Sequence, residues 1–502
     1  MGEKWTEPQK RVIKHSAGNL LVSASAGSGK TSVLIEKIIT LILSGQVHLK
    51  NLLIVTFTNA ASLEIRQRLQ KSLSVADNQT LLAELEDLST SDILTFDAFC
   101  IKIVKEFGYE IGKDNNFTVA DTTLAGFLQN QALDNIISKH GKNLDEDFTN
   151  VLDTFFAGRN DKDFRHGIIS LYNFLKSKDD DTVYLKRLDE FFDLSEKNKN
   201  SELFKFLHNY VLSVKNNFLS KIKRLITLCS NQDEKLKSAL QNAKQMLELL
   251  SDDFYKNLLI IQNQLNFDVV RASQKDTFEI LEIKKEYANA KNEFLADLNL
   301  IFSKEIRALS LEQMQKDIFA TKQRLLSLFN LVNEFDEEYS KIKANMQVLD
   351  FIDIEQLANK ILNNSNIATS LQNRYDWIFI DEYQDTSLLQ EDIVKKITAG
   401  DNLFMVGDFK QSIYRFRQAE PKIFINKYNQ YKKMQNLGNV IELKTNFRSD
   451  KAIINFNNFV FDKIYKNSID DFEYSGNADL EFGGSYESDV EPKVKLLVIQ
   501  KD

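Results

Sequence analysis

Residues 19–37 of this 502-residue chain have the sequence NLLVSASAGSGKTSVLIEK, which predicts a strand, a tight loop and a helix in succession. The apolar residues 20–22 indicate a buried strand, the small residues and glycines of 23–29 indicate the loop, and Lys30 and Thr31 begin an amphipathic helix. Such a loop directs backbone N–H groups and a helix N-terminus at one point, which suits a polyphosphate. The sequence therefore predicts a nucleotide-phosphate site here.

Two side chains of this loop have predicted roles of their own. Lys30 is expected to reach the β- and γ-phosphates of ATP, and the Thr31 hydroxyl is expected to hold Mg²⁺. Ala24 stands where the usual pattern has glycine, so the loop on its own also fits a purely structural turn. The remaining predicted ATP-binding residues of the loop are Ala24, Ser25, Ala26, Gly27, Ser28 and Gly29.

Composition narrows the class of protein. With 43% hydrophobic and 27% charged residues the chain is typical of a soluble globular protein, long enough for several domains. Cys100 and Cys229 are too few for a disulfide framework or a cysteine metal cluster, so we expect a reducing compartment and a cytoplasmic location. The apolar run 38–43 is too short to span a bilayer, and no membrane association is expected. A net charge of −8 does not exclude a local basic groove for nucleic acid.

The distribution of predicted strands divides the chain into three regions. Short β-rich runs alternate with helical periods up to about residue 110 and again from about residue 346, which is typical of an α/β fold with a parallel sheet. Between them, from about 122 to 345, apolar residues recur at helical spacing without predicted strands, which indicates a helical insertion. The predicted strands are 20–23, 52–58, 93–96, 377–380, 403–406, 440–443 and 494–499.

A pair of acidic residues follows the predicted strand 377–380, in the sequence WIFIDEYQDTS. Asp381 and Glu382 come at its carboxyl end, where parallel α/β sheets present their ligands. We assign Asp381 to the Mg²⁺ ion and Glu382 to the general base that polarises the attacking water. In isolation the same pair would be interpreted as the N-cap of the next helix.

Aromatic and cationic residues alternate in LFMVGDFKQSIYRFRQAEP, residues 403–421. Tyr414, Phe416 and Arg417 have the spacing that suits a single strand of nucleic acid, although the two rings could equally be core residues of a short helix. Gln411 is a candidate sensor of the γ-phosphate. After the predicted strand 52–58, Phe57 could stack on a base and Thr58 or Asn59 could bond a phosphate.

The remaining candidates lie near the two ends of the chain. In LKTNFRSD, Phe447 could stack on adenine while the Arg448 guanidinium reaches the γ-phosphate. In TEPQK, Gln9 could bond both N6 and N7 of adenine. An exposed helix residue is the alternative interpretation of Gln9.

Together these segments resemble the superfamily 1A DNA helicases of the UvrD/Rep/PcrA type. The family's motifs occur here in the family's order, as TEPQ, ASAGSGKT, TFTNAAS, DEYQDTS, GDFKQSIYRFR and TNFRS. A finer resemblance is to the AddA/RecB branch of helicase–nucleases. It rests on VSASAGSGKT, the cysteine after TFDAF, NNFTVAD (115–121), GRNDKDFRHGIISLYNF (158–174) and LDFIDIEQLA (349–358).

The resemblance implies a RecA-like P-loop NTPase domain (1–110 and 346–436), interrupted by a helical insertion (111–345) and followed by the beginning of a second RecA-like domain (437–502). It implies 3′→5′ translocation on DNA driven by ATP and Mg²⁺, in double-strand-break repair and recombination, beside a second, AddB-like subunit. It also implies adenine contacts for Gln9 and Phe447, γ-phosphate contacts for Gln411 and Arg448, and contacts with single-stranded or duplex DNA for the aromatic segments. Asp97 stands where the family often has histidine, which puts that DNA contact in doubt.

Two further motifs and a nuclease region of the family are not found before Asp502. We therefore expect an N-terminal portion of a longer protein, with weak ATP binding and negligible unwinding by residues 1–502 alone. Robust DNA-stimulated turnover by these residues would contradict that expectation. The alternatives are a stand-alone UvrD/Rep-like repair helicase and a non-catalytic DNA-binding scaffold with a vestigial ATP site.

Overall fold

The computed structural model describes residues 5–74, 79–143, 145–156, 161–178, 191–192, 202–229, 233–263, 265–274, 276–309, 311–465 and 479–484. The chain forms two compact units. Unit 1 comprises Met1–Asn135, Arg165–Asp179 and Asp336–Asp502, and unit 2 comprises Ile136–Phe164 and Asp180–Phe335.

A six-stranded parallel sheet is the framework of unit 1. Its strands are β1 (Leu20–Ala24), β2 (Leu52–Thr56), β3 (Asp92–Thr95), β6 (Trp377–Ile380), β7 (Leu403–Gly407) and β8 (Asn439–Leu443). Their order across the sheet is β3-β2-β6-β7-β1-β8. Two short parallel pairs accompany it, β4 (Thr118–Val119) with β5 (Val348–Leu349) and β9 (Thr445–Asn446) with β10 (Glu481–Phe482).

The sheet is buried on both faces, which explains why its strands are continuous apolar runs in the sequence. Successive side chains of β2 alternate between two hydrophobic clusters: Leu53 and Val55 belong to one, and Leu52 and Ile54 to the other. The helices of unit 1 are Glu7–Lys14, Lys30–Leu43, Asn59–Ser74, Gln79–Asp87, Phe96–Phe107, Phe351–Ile361, Ser365–Arg374, Leu388–Ile397, Pro421–Lys433 and Lys451–Tyr465.

The described residues of unit 2 form helices joined by loops such as 265–274, with no strand among them. The rings of Phe218, Phe267 and Phe294 pack against one another in its core, with ring centroids 4.9 to 5.5 Å apart. Its helices are Glu146–Val151, Glu202–Leu228, Glu234–Leu249, Phe254–Asn263, Phe278–Ile301 and Lys304–Arg307. The helices Thr122–Asn143, Asp161–Lys176 and Leu311–Met346 belong in part to each unit.

The predicted α/β class with a parallel sheet is confirmed, and six predicted strands are present within two residues of the predicted ends. The seventh, 494–499, lies outside the described residues. One placement was wrong: β8, which we expected in a second domain beginning at residue 437, pairs in register with β1 and forms the edge of the first sheet. The other predicted domain boundaries stay predictions.

The parallel arrangement brings the carboxyl ends of the strands to one edge of the sheet. Ser25, Phe57, Asp381 and Asp408 each follow directly on a strand at this edge. Segments far apart in the sequence therefore meet there, and this edge holds the candidate site.

Candidate functional site

The loop between β1 and the helix Lys30–Leu43 has the backbone of an anion-binding turn. Gly27 and Gly29 have left-handed φ angles of 70° and 83°, which side chains disfavour. Gly29 is the N-cap and offers no side chain to the first N–H groups of the helix, which leaves these donors to a ligand. The Ser28 hydroxyl is buried without a hydrogen-bond partner in the described structure. The loop thus presents unused donors at one point.

Lys30 is in contact with Glu382, 352 positions later in the chain. The Lys30 Nζ atom lies 2.9 and 2.8 Å from the two carboxylate oxygens of Glu382. The side chain of Lys30 is 16% exposed and that of Glu382 is 35% exposed, so the ion pair is open to water on one side. The predicted phosphate-binding lysine and the predicted general base therefore face a single site.

The two acids after β6 differ in environment. Burial, together with the adjacent charge of Glu382, raises the pKa of Asp381 to about 6, although Lys30 lowers it. Asp381 also accepts a hydrogen bond from the Glu382 N–H at 3.0 Å. Glu382 has a left-handed φ angle of 52°, a conformation that is strained for a residue with a side chain. Strain of this kind is typical of functional turns.

The segment after β7 is organised by Asp408, which is 1% exposed. Its carboxylate accepts hydrogen bonds from the Gln411 Nε2 atom at 2.8 Å and from the Lys410 Nζ atom at 2.7 Å. Gln411 itself is exposed. Its amide is therefore held at the sheet edge by Asp408, and its predicted contact with a γ-phosphate stays a prediction.

Residues 25–29, between β1 and the helix Lys30–Leu43, are called the phosphate loop below. Gln9 and the segment after β8 both contact this loop. The Gln9 amide donates to the Ser28 carbonyl at 3.0 Å and accepts from the Thr6 N–H at 2.9 Å, so its polar atoms bond to protein in this structure. The Phe447 N–H donates to the Gly27 carbonyl at 2.9 Å. Phe447 is 40% exposed, and Arg448 is also exposed. Adenine and γ-phosphate contacts for these residues stay predictions.

The predicted DNA-contacting residues form an aromatic cluster. The rings of Phe57 and Tyr414 are 4.5 Å apart, those of Tyr414 and Phe416 are 5.7 Å apart, and the Arg417 Cζ atom lies 5.4 Å from the Phe57 ring centroid. Phe416 is 75% exposed, which contradicts the alternative that it is a core residue. Thr58 caps the helix Asn59–Ser74 by accepting from the Ala61 N–H at 3.1 Å.

A cavity of about 350 Å³ lies beside this cluster and the acids after β6. Arg417, Asp97 and Glu355 contribute to its wall. The pKa of Asp97 is raised by burial, and the nearby charge of Arg417 offsets only part of that rise. Burial and the charge of Asp97 raise the pKa of Glu355 to about 8, although a hydrogen bond from Gln390 lowers it.

The structure thus brings the predicted site residues together at one edge of the sheet, in two groups. The phosphate loop with Gln9, Asp381, Glu382 and Phe447 forms the first, and the aromatic cluster forms the second. Sequence reasoning assigned no role to Gln384, Asp408 or Glu355. Gln384 and Asp408 lie inside the segments DEYQD and GDFKQ. Their place beside the predicted site residues in these segments could have identified them from the sequence.

Comparison with known proteins agrees with this geometry. A sequence model of the UvrD/REP helicase N-terminal domain matches residues 5–260 and 239–432. The chain is 31% identical to the A subunit of the ATP-dependent helicase/nuclease of Alkaliphilus oremlandii, over 99% of this chain and 42% of that protein. Proteins of the same name from Clostridioides difficile and Listeria monocytogenes are 32% and 31% identical, again over 99% of this chain and 42% of their own length.

The chain therefore spans about two fifths of the length of the curated relatives it matches. In the part of the chain that the structure describes, no helix has both the length and the apolar character needed to cross a bilayer.

Proposed function

Because the chain belongs to the UvrD/REP helicase N-terminal domain family, we propose that it contains the ATP-hydrolysing motor of a helicase that moves 3′→5′ along single-stranded DNA. Its relatives are named as the A subunit of an ATP-dependent helicase/nuclease. We place the chain in the same branch, as part of a helicase–nuclease that acts in double-strand-break repair and recombination and includes a second subunit. The observation that carries the proposal is the contact of Lys30 with Glu382.

The phosphate loop fits ATP with Mg²⁺. The helix N-terminus lacks a side-chain cap, the Ser28 hydroxyl has no partner in the described structure, and Lys30 supplies a positive charge. Thr31, the second residue of the helix, and Asp381 are the oxygen ligands available to Mg²⁺, which binds few protein oxygens and completes its shell with phosphate and water. When bound, the ion neutralises charge on the phosphates.

Different side chains have different proposed roles in ATP hydrolysis. Glu382 is the candidate general base, and its carboxylate forms an ion pair with the Lys30 ammonium. A triphosphate that attracts the Lys30 ammonium would release the Glu382 carboxylate to orient a water molecule. Gln411 and Arg448 are the proposed γ-phosphate contacts, and Gln9 and Phe447 the proposed adenine contacts.

The aromatic cluster is the proposed contact with single-stranded DNA. Phe57, Tyr414 and Phe416 offer ring faces to the bases, and Arg417 adds a positive charge beside the rings. Thr58 and Asn59, at the start of the helix Asn59–Ser74, are the proposed phosphate contacts. The cluster follows strands of the same sheet that holds Asp381, so nucleotide and DNA would act on connected segments.

Two other functions have less support. A stand-alone repair helicase would use the same site, and the names of the relatives favour the helicase–nuclease branch. A scaffold with a vestigial ATP site would not need to retain Lys30 and Glu382 in contact. Any downstream nuclease and the second subunit belong to the proposal for the whole protein.

Lys30→Ala tests the proposal in the natural full-length protein. We expect DNA-stimulated ATP hydrolysis to fall at least about 100-fold, because the phosphates lose their cation, while DNA binding is retained. Lys50→Ala, which removes an exposed lysine, should leave the rate unchanged. Unchanged ATP hydrolysis in Lys30→Ala would refute the assignment.

A further inference from the structure

Gln384 is the buried residue at which the acids after β6 meet the segment after β7. It is 2% exposed, although it belongs to a short turn and not to a strand or a long helix. Its amide nitrogen donates to Glu382 at 2.9 Å and to Asp385 at 3.0 Å. Its amide oxygen accepts from the Asp408 N–H at 2.9 Å. Both N–H donors and the acceptor of the side chain are therefore engaged.

The orientation of this amide follows from its partners. A backbone N–H can only donate, so the Gln384 oxygen must face Asp408, and carboxylates can only accept when ionised, so the nitrogen must face Glu382 and Asp385. The reversed amide would place an oxygen against two carboxylates. Gln384 consequently has one favourable orientation, and its amide nitrogen shares the Glu382 Oε2 atom with the Lys30 amine.

Gly407 leaves the space that the Gln384 amide fills. A Cβ atom at residue 407 would lie 2.2 Å from the Gln384 oxygen and 3.1 Å from the Tyr383 backbone nitrogen. The absence of a side chain at the end of β7 is thus what allows β6 and β7 to be bridged by a side chain at this edge. The Ser412 hydroxyl adds a second link by donating to the Gln384 carbonyl at 3.2 Å.

From Gln384 the contacts continue to the aromatic cluster. Asp408, whose N–H bonds to Gln384, holds the Gln411 amide through its carboxylate at 2.8 Å. Two residues after Ser412, the Tyr414 ring packs at a tilt against the Phe57 ring. A displacement of the 408–417 segment would therefore move the Gln384 amide, and with it the Glu382 carboxylate.

We propose that Gln384 is a positioning residue that couples the carboxylate of Glu382 to the aromatic cluster, so that occupation of the cluster by single-stranded DNA sets the orientation of the general base. The inference rests on the proposed function, because it needs both ATP hydrolysis and DNA binding. In this proposal Gln384 acts through its contacts with Glu382 and Asp408, and it touches neither ATP nor DNA.

The test compares DNA stimulation with basal turnover in the natural full-length protein. Gln384→Met keeps the approximate volume but removes the polar contacts, and Gly407→Ala displaces the Gln384 amide without removing any carboxylate from the sequence. In both variants we expect the stimulation of ATP hydrolysis by oligo(dT) to fall at least tenfold. The Kd of a fluorescent ATP analogue and the Kd of oligo(dT), each measured alone, should change less than threefold.

Reciprocal binding supplies a readout that simple loss of structure would not mimic. If nucleotide and DNA are coupled in the wild-type protein, a non-hydrolysable ATP analogue changes the oligo(dT) affinity by some factor, and DNA changes the affinity for the analogue by the same factor. In Gln384→Met this factor should approach one. The matched control is Gln372→Met, which removes a glutamine that donates to the Lys396 carbonyl at 2.9 Å, and it should retain the wild-type factor.

The outcomes separate the two proposals. Wild-type DNA stimulation and wild-type coupling in both folded variants would overturn the role of Gln384 while leaving the proposed function intact. A basal rate that falls in proportion with the stimulated rate would also overturn it, since Gln384 would then only support the site. Absence of DNA-stimulated ATP hydrolysis in the wild-type protein would overturn the proposed function itself, and the inference with it.

Discussion

Asn446 lies directly against Gly27 in the phosphate loop: a Cβ atom at residue 27 would come within 2.8 to 2.9 Å of three atoms of the Asn446 side chain. Asn446 is 2% exposed, and its side-chain oxygen accepts from the Arg448 and Ser449 N–H groups, both at 2.8 Å. The turn that carries Phe447 and Arg448 is therefore built on contact with the bare backbone of the phosphate loop.

Gly27→Ala should destabilise the protein and weaken nucleotide binding at least tenfold, because the methyl group displaces Asn446 and the left-handed conformation costs alanine roughly 1–2 kcal/mol. Gly45→Ala is the matched control, since Gly45 has the same φ of 70° with no atom within 4 Å of the added Cβ. We expect it to lose only the conformational part. Thermal unfolding and titration with a fluorescent ATP analogue measure both effects, and equal losses in the two variants would contradict the contact with Asn446.

Phe416→Ala should weaken the binding of oligo(dT), because Phe416 is 75% exposed beside Tyr414 and can stack on a base. Base–aromatic stacking is worth roughly 1–3 kcal/mol, which corresponds to about 5- to 150-fold in Kd. Phe127→Ala removes a phenylalanine that is 66% exposed outside the cluster, and should not alter the Kd. Fluorescence anisotropy measures the affinities. If both variants bind DNA like the wild-type protein, the cluster is not the DNA contact.

Glu355 should make the protein less stable as the pH rises. Burial and Asp97 raise its folded-state pKa from 4.5 to about 8, so the folded protein holds the proton more tightly than the unfolded chain does. The free energy of unfolding therefore falls between about pH 4.5 and 8. Glu355→Gln, which cannot ionise, should be more stable than the wild-type protein at pH 9 and similar at pH 5.

Urea denaturation at the two pH values measures this difference, with Glu110→Gln as the control at an exposed glutamate. A Glu355→Gln variant that keeps the wild-type change in urea midpoint between pH 5 and 9 would show that Glu355 is not its source.

His140 should stabilise unit 2 in mildly acidic solution. Its Nδ1 atom lies 2.6 Å from Asp145 and its Nε2 atom 2.7 Å from Glu334. Burial opposes the imidazolium charge, but the two carboxylates outweigh it and raise the pKa of His140. The stabilisation is complete below the unfolded-state value of about 6.5 and is lost as the pH rises through the raised folded-state value.

The same pairing lowers the pKa values of Asp145 and Glu334, so the contribution of the two acids is lost as the pH falls through their folded-state values. His140→Gln should therefore lower the urea midpoint at pH 6 more than at pH 9. His166→Gln, at an exposed histidine, should lower it at neither. A pH-independent loss in His140→Gln would mean that packing on Phe148 and not charge accounts for the role of His140.

Local sequence patterns predicted the strands of unit 1 closely. The strand Trp377–Ile380 was predicted to the residue, and the helix after the phosphate loop begins at Lys30 as expected. These elements are specified by short-range features, namely buried apolar runs and glycines that adopt left-handed angles. The position of β8 could not be predicted in this way, because the choice of a neighbouring strand depends on long-range pairing with β1.

The sequence alone determined which residues have the chemistry for a nucleotide site: a glycine-rich loop before Lys30, two acids after an apolar strand, and aromatic residues interleaved with arginines. Only the tertiary structure decided their relationships, such as the pairing of Lys30 with Glu382 and the burial of Gln384 between the segments that follow β6 and β7. The physical reason is that each contact joins side chains whose separation is set by the parallel sheet. Its strand order brings the carboxyl ends of distant segments within hydrogen-bonding distance, and no local pattern encodes that order.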